Sequence, residues 1–364
     1  MHTKVGICAA LVSFSATFSL AENNNTFLYQ EGSDNSATAD QSDITSIGNQ
    51  ITQIQIGNDN SLEATQSDSN LRGSILQTQI GDSNNAFASQ EGTRDTSSSG
   101  YQIGNNNQGS SLQGSVTNSQ FNYTQLGSQN SAQGVQTNSD NASISIVQEG
   151  TGNTVTSSQD TITRGEMQFY QTGISNKSTV ADSNNGSDNR LTSTQSGDSN
   201  QNNVFLNATN SATDHLQQTG SDNQIFLVHS ISDNDTVEIL QAGTQQTLNI
   251  SLISTADNEV TINQLGSSNI GTLNLSGTSN GTQLQQDGYL NSVNLTQGGE
   301  GVNLYAHQIG SNNELDLTQG GRQNTATLSQ FGNSNYIYLM QTGINSSINI
   351  LQLGSNNSAS YQQQ

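Results

Sequence analysis

The most regularly spaced polar residues in this chain are glutamines, whose side-chain amides can both donate and accept hydrogen bonds. Fifteen of them recur at intervals of 22–25 residues, each with a glycine two residues later. Fourteen also have an asparagine five residues later, and Gln246 takes that place in the remaining copy. Stacked copies would align equivalent amides as hydrogen-bonded ladders. With the second glutamines that follow some anchors by 11 residues, the predicted ladder residues are Gln30, Gln55, Gln79, Gln102, Gln125, Gln148, Gln171, Gln195, Gln218, Gln241, Gln264, Gln286, Gln297, Gln308, Gln319, Gln330, Gln341, Gln352 and Gln363.

The residues around each anchoring glutamine predict two short strands joined by a tight turn. Apolar residues tend to lie four and two residues before the anchor, as at Val260 and Ile262, and seven and nine residues after it, as at Leu315 and Leu317. This period of two is typical of a strand with one buried face. Glycine and asparagine tolerate the left-handed backbone of tight turns. The predicted turn residues include Gly32, Asn35, Gly57, Asn60, Gly310, Asn313, Gly332, Asn335, Gly354 and Asn357.

A helical interpretation of the spacing is disfavoured by the residue types. An 11-residue period can mark a right-handed helical coil. Such a helix would contain a glycine at every anchor and many Asn, Ser and Thr residues, which are poor helix formers. The sequence therefore predicts an all-β protein, a β-solenoid of about fifteen stacked strand–turn–strand repeats that form two facing parallel sheets. The complete absence of proline agrees, because proline would remove a hydrogen-bond donor from a stacked strand.

The first residues of the chain have the features of a secretory signal peptide, predicted at 1–21. Lys4 precedes a mostly apolar or small stretch, and Ser19 and Ala21 fit the small-residue cleavage rule. A short N-terminal segment at 22–29 and the repeat solenoid at 30–364 would follow. The only cysteine, Cys8, lies in the signal segment, so the mature chain would have no disulfide. We therefore expect a secreted, extracellular protein.

Composition excludes several classes of partner and function. A net charge of −22 with only seven basic residues argues against nucleic acid, and we interpret the acidity as solubility by self-repulsion. The apolar run at the N-terminus is too short for a membrane span. The low apolar content, 29%, is also typical of disordered chains. The phased repeat favours an ordered final state, and disorder of the monomer before assembly stays open.

No catalytic constellation is present, and we predict no enzyme activity, no cofactor and no metal site. The four histidines are widely separated and lack ligand spacing, so we interpret His229 as a variant ladder residue. Asp182 is a candidate gatekeeper, a charge that slows stacking locally, although simple drift in a tolerant repeat explains it equally well. In five consecutive central copies the second glutamine is replaced, by Asp182, Leu206, His229, Leu252 and Leu275.

The pattern Gln-x-Gly-x-x-Asn-x-Ala-x-x-x-Gln, present at 30–41, 79–90, 125–136 and 352–363, resembles the repeat of curlins, the subunits of bacterial curli fibres. The resemblance covers about residues 26–364. It implies a self-assembling functional amyloid of biofilm matrix, associated with adhesion. It also implies partners: other copies of the chain, a nucleating or major curlin subunit, and an outer-membrane secretion pore. The chain has more repeats than curlins typically carry and lacks the Gly-rich N-terminal segment of the major fibre subunit, which puts use of that pore in doubt. The minor, nucleating subunit lacks a long Gly-rich segment too, so the chain could be either type.

Two function hypotheses follow. The first is a structural subunit that forms cell-surface fibres by templated strand addition, since unpaired edge strands recruit further strands. The regular C-terminal copies at 286–364 would be the docking end. The alternative is a monomeric β-solenoid adhesin or binding protein that does not polymerise. A soluble solenoid needs polar capping repeats, and the last copy, which reaches Gln363, is an ordinary one.

Overall fold

A computed structural model of the chain describes residues 23–41, 47–183, 186–207, 209–230, 236–256 and 259–364. The predicted signal peptide at 1–21 lies outside these residues. The described residues form thirty β-strands in two parallel sheets of fifteen strands each. No helix among them is long and apolar enough to cross a membrane. The predicted β-solenoid with two parallel sheets is therefore confirmed.

The odd-numbered strands make up the first sheet, in chain order. They are β1 (Asn25–Glu31), β3 (Gln50–Ile56), β5 (Ser74–Ile80), β7 (Ser97–Asn105), β9 (Gln120–Ser128), β11 (Ser143–Thr151), β13 (Glu166–Ile174), β15 (Arg190–Asp198), β17 (Thr213–Ser221), β19 (Thr236–Thr244), β21 (Glu259–Ser267), β23 (Gly281–Tyr289), β25 (Asn303–Ser311), β27 (Thr325–Asn333) and β29 (Ser347–Ser355). The first strand thus begins at Asn25, inside the segment expected to precede the repeats.

The even-numbered strands make up the second sheet. They are β2 (Ser36–Asp40), β4 (Ser61–Ser67), β6 (Asn85–Glu91), β8 (Gln108–Gly114), β10 (Ser131–Thr137), β12 (Thr154–Asp160), β14 (Lys177–Ser183), β16 (Gln201–Asn207), β18 (Gln224–Ser230), β20 (Thr247–Ala256), β22 (Ile270–Thr278), β24 (Ser292–Glu300), β26 (Glu314–Gln319), β28 (Tyr336–Gln341) and β30 (Ser358–Gln363). One odd strand and the following even strand form a rung, so there are fifteen rungs.

Consecutive rungs pair in register, residue for equivalent residue, apart from a register shift between Ile253 and Ala256 where β20 pairs with β22. Gln55 pairs with Gln79 in the first sheet, and Gln319 pairs with Gln341 in the second. The variable repeat length is taken up by the turn from one rung to the next, which has six residues after β4 (68–73) and five after β26 (320–324). This turn therefore keeps both ladders in phase although the repeats differ in length.

The core lies between the two sheets and contains alternate residues of every strand. One continuous apolar cluster extends from Leu62 to Ile348. A small second cluster in the N-terminal rungs, which includes Ile51 and Ile75, stays separate from it. In the same rungs the amides of Gln53 and Gln77 are buried in the core and hydrogen-bonded to each other at 2.9 Å.

Large and small residues complement each other between rungs. Phe121 and Tyr123 are buried, with ring centroids 5.9 Å apart. A Cβ on Gly134 would lie 1.8 Å from the Phe121 ring. A Cβ on Gly100 or Gly109 would lie 2.2 or 2.3 Å from the Tyr123 ring. These three glycines make room for the two aromatic side chains, because protein interiors leave no space for additional atoms.

Candidate functional site

The anchoring glutamines form one unbroken ladder along the first sheet. From Gln30 to Gln352, each Nε2 donates to the Oε1 of the glutamine in the next rung, at 2.6–3.1 Å. Each Nε2 from Gln55 onward also donates to a backbone carbonyl of the preceding second-sheet strand, as Gln55 does to Ser36 at 2.9 Å. The ladder therefore joins successive rungs and also ties the two sheets together.

The glutamines at position +11 form a second ladder, which is interrupted in the middle. Its first part runs from Gln41 to Gln159, through Gln66, Gln90, Gln113 and Gln136, with bonds of 2.7–3.0 Å. Its second part joins Gln297, Gln319 and Gln341 at 3.4 and 3.0 Å. Gln363 pairs in register with Gln341 through the backbone. The sequence prediction names only the C-terminal part of this ladder residue by residue, although its rule that the glutamine at +11 faces inward also covers the part before residue 160.

The predicted turn residues form a third stack at one edge of the solenoid. The backbone N–H of Asn60 donates to the Oδ1 of Asn35 at 3.0 Å, and its Nδ2 donates to the carbonyl of Gly81 at 2.7 Å. Equivalent bonds are made by Asn313 and Asn335. Gln246, the exception in sequence, makes the same bonds to Asn223 and Gly266. Its Oε1, however, is buried without a hydrogen-bond partner, so the stack is interrupted between Gln246 and Asn269.

The glycine of each turn is required by two constraints. Gly32, Gly57, Gly310, Gly332 and Gly354 have φ between 104° and 123°, a region closed to side chains. In the four that are followed by another rung, a Cβ would lie 1.8–2.0 Å from the carbonyl oxygen of the next turn glycine. The sequence prediction missed a further turn position, two residues after each turn glycine. Non-glycine residues at this position, such as Asp34 and Leu290, have positive φ. Its frequent Asp, Asn and Ser residues were the signal.

The interruption of the second ladder contains a buried group of charged and polar side chains. Asp182 accepts two bonds from the Nδ2 of Asn189 at 3.0 and 3.2 Å, and burial raises its pKa to about 7. The Nε2 of Gln159, one rung below, has no hydrogen-bond partner. Two rungs above, the Nε2 of His229 lies 3.1 Å from the Oδ1 of Asp214, and both side chains are fully buried. Within the described ranges, no three His, Cys, Asp or Glu side chains gather as metal ligands would.

Sequence reasoning named Asp182 and His229 but missed Asp214. The residue four before an anchor faces the residue eleven after it, across the core. Thr282 shows this geometry, because its Oγ1 donates to the Oε1 of Gln297 at 2.6 Å. Asp214 occupies the first of these positions and His229 the second in a single rung. The signal was an acidic residue where other copies have Leu or Val.

Ion pairs between neighbouring rungs lie at the turns that lead from one rung to the next. Arg72 and Arg164 each make two bonds to the aspartate of the next rung, Asp95 and Asp188, and these bonds lower the pKa of both carboxyl groups. The pairs are exposed, so they contribute little to stability. They hold neighbouring turns in phase and have no arrangement suited to catalysis.

The two end rungs present complementary hydrogen-bonding groups. All first-ladder amides donate toward the C-terminus, so the first rung presents the Oε1 of Gln30 and the last presents the Nε2 of Gln352. Strands β1, β2, β29 and β30 each pair with one neighbour. Half-buried apolar residues accompany them, including Leu28 and Ile350. Chemically, this arrangement can accept another rung at either end.

Residues 310–343 match the family model of the curlin-associated repeat. This stretch contains the turn residues Gly310, Asn313, Gly332 and Asn335, and ladder residues of both sheets. No curated protein matches the chain. The chain therefore carries curlin-associated repeats, as the resemblance implied, in a solenoid fold that is structural in character.

Proposed function

We propose that this chain is a secreted structural subunit that builds curli-like amyloid fibres of a biofilm matrix and supports adhesion. The observation that carries the proposal is the complementarity of the end rungs. A second copy, placed with β1 and β2 on β29 and β30 of the first, would bring the Nε2 of Gln352 to the Oε1 of Gln30. The ladder would then continue from copy to copy with unchanged geometry.

The turn stack supports the same arrangement. The Oδ1 of Asn335 accepts the backbone N–H of Asn357 at 3.0 Å, and Asn357 in turn would accept the N–H of Asn35 in the next copy. The carbonyl of Gly32 would meet the Asn357 Nδ2, as Gly354 meets the Nδ2 of Asn335 at 2.9 Å. Two sheet edges and the turn between them would therefore be satisfied by one docking step, which explains a templated mechanism.

The half-buried apolar residues of the end rungs favour assembly over the alternative, a monomeric adhesin. Leu28 and Ala37 at one end and Ile350 and Ala359 at the other would be covered by the next copy. A monomeric solenoid covers such residues with polar capping repeats. Secretion rests on the signal-like residues 1–21, and adhesion and partner subunits rest on the curlin-associated repeats.

The test is incubation of purified residues 22–364 without any partner. We expect a soluble chain to convert into thioflavin-positive fibres whose diffraction shows spacings of about 4.7–4.8 Å along the fibre axis and about 10 Å across it. Seeds should remove the lag phase. A chain that stays monomeric for days at high concentration, by analytical ultracentrifugation, would reject the fibre and leave the monomeric adhesin.

A further inference from the structure

The outward face of the first sheet carries most of its large apolar residues near the two ends of the solenoid. The relevant positions lie five, three and one residues before each anchoring glutamine and one after it. In β1 to β7 they include Phe27, Tyr29, Leu76 and Tyr101, which are 37–51% exposed. In these rungs and β9, the only Asp, Glu, Lys or Arg at these positions is Glu31, which accepts a bond from the Tyr29 hydroxyl at 2.9 Å.

The other end of the same face has the same character. Tyr305 and Leu353, in β25 and β29, are 47% and 65% exposed. No Asp, Glu, Lys or Arg occupies these positions in β25, β27 or β29. The seven rungs between the two ends differ, because their outward positions carry the charged residues Glu149, Glu166, Arg190, Glu238, Glu259 and Asp287. The face therefore has two ends that are rich in apolar residues and nearly free of charge, and an acidic middle.

End-to-end stacking would join the two apolar ends into one surface, here called the junction stripe: the outward positions of β25, β27 and β29 of one copy and β1, β3, β5, β7 and β9 of the next. Its eight rungs would span about 38 Å, and its four outward positions span about 20 Å along each strand. Each stripe thus covers on the order of 750 Å², and 14 of its 32 outward positions carry Phe, Tyr, Leu or Ile. Two stripes face to face would bury about 1,500 Å² in total, which is within the range of specific interfaces.

We infer that the junction stripe binds the junction stripe of a second fibre of the same chain, so that fibres associate laterally at each subunit junction. This inference rests on the proposed function. The partner that covers the junction stripe needs a flat, apolar surface that recurs once per subunit length along the fibre. Another fibre of this chain meets all three conditions. The acidic middle segments repel each other, which limits contact to the junctions. Because that repulsion is screened within about 8–10 Å at physiological ionic strength, salt should promote bundling.

The matched variants are Tyr101→Glu and Tyr170→Glu. Both tyrosines lie one residue before an anchoring glutamine, and they are 37% and 41% exposed. Tyr101 is in the junction stripe, and Tyr170 is in the acidic middle segment. Neither contributes to an end rung, so seeded elongation should be unchanged in both. Leu76→Glu, at a residue 41% exposed in β5, is a second stripe variant.

The measurement is the fraction of bundled fibres, by electron microscopy and low-speed sedimentation, over a series of salt concentrations. Wild type and Tyr170→Glu should bundle alike, because residue 170 lies outside the contact. Tyr101→Glu and Leu76→Glu should give single fibres and require about tenfold more protein to bundle, because each places an unpaired charge inside the interface. Equal bundling of all four proteins, or equal dispersal by Tyr170→Glu, overturns the inference while leaving fibre formation intact. Absence of wild-type fibres would reject the proposed function itself, and this inference with it.

Discussion

Replacement of Gly354 by alanine should separate folding of the subunit from growth of the fibre. A Cβ on Gly354 has only the Nδ2 of Asn357 near it, at 3.7 Å. One rung earlier, a Cβ on Gly332 would lie 1.9 Å from the carbonyl oxygen of Gly354, far inside the 3.0 Å limit of real Cβ contacts. Alanine therefore fits at residue 354 in a single chain, but it would collide with Gly32 of an added copy.

The expected magnitudes follow from these distances. With φ at +104°, alanine at residue 354 adds about 1–3 kcal/mol of backbone strain, confined to the last rung. The stability of the remaining chain should hardly change. A contact near 2 Å cannot be relieved by a backbone carbonyl, so addition at the C-terminal end should slow at least about tenfold, the equivalent of 1.4 kcal/mol. The Gly354→Ala chain still has a normal first rung, so it should add once to a wild-type end and then block it.

The assay is elongation of wild-type seeds with wild-type chain plus a small fraction of the variant, followed by thioflavin fluorescence. Substoichiometric inhibition is the expected result. Gly48→Ala is the control, because its φ is also positive, +70°, and its Cβ would lie 3.6 Å from the nearest atom, the Cγ of Arg72. Gly332→Ala should instead destabilise the chain itself. If Gly354→Ala grows at the wild-type rate, copies do not stack end to end in the register of the solenoid.

Three further predictions concern the second ladder. Gln341→Ala removes the hydrogen bond donated by Gln319 and the one that Gln341 donates to Ser346. Chemical denaturation of fibres should therefore show a loss of about 1–3 kcal/mol of stability. Thr342→Ala, at an exposed residue, should change the stability by less than about 0.5 kcal/mol. Since burial raises the pKa of Asp182 to about 7, the folded chain holds a proton that the unfolded chain releases above about pH 4. The free energy of unfolding should therefore fall as the pH rises from 4 to 7. Asp182→Gln should remove that fall, with a gain of about 2–4 kcal/mol at pH 8 and little gain at pH 4. An equal gain at both pH values would contradict the raised pKa of Asp182. His229→Leu, which leaves Asp214 buried alone, should cost about 3–5 kcal/mol by chemical denaturation, and leucine at both residues should restore wild-type stability.

The fold was predictable because stacking imposes the same requirements on every rung. An amide ladder needs its glutamines in register, so their spacing survives in the sequence although the repeat length varies. The turn glycine recurs because any Cβ would strike the next turn, as at Gly57, where the distance would be 2.0 Å. Alternation of apolar residues then fixes which face is buried. All three signals lie within a single repeat, which is why sequence alone predicted two facing parallel sheets.

Features that depend on contacts across the core were not predictable in the same way. The pairing of Asp214 with His229 needs the knowledge that positions four before and eleven after an anchor face each other. The positive φ of Leu290 is set by the rungs above and below, against the preference of leucine. The predicted role of Asp182 as a gatekeeper stays a proposal, because its burial explains a local loss of stability and leaves the rate of stacking to be measured.

The two borders of the interrupted ladder differ in how well their glutamine amides are hydrogen-bonded. At the C-terminal border, Gln297 finds a replacement partner, since the Thr282 hydroxyl donates to its Oε1 at 2.6 Å. At the N-terminal border, the Nε2 of Gln159 is buried without a partner next to Asp182. An unsatisfied buried donor costs about 1–3 kcal/mol, whereas leucine in the ladder position needs no partner and adds apolar burial. Local opening should therefore be easier between β12 and β14 than between β24 and β26, and hydrogen exchange should be faster there.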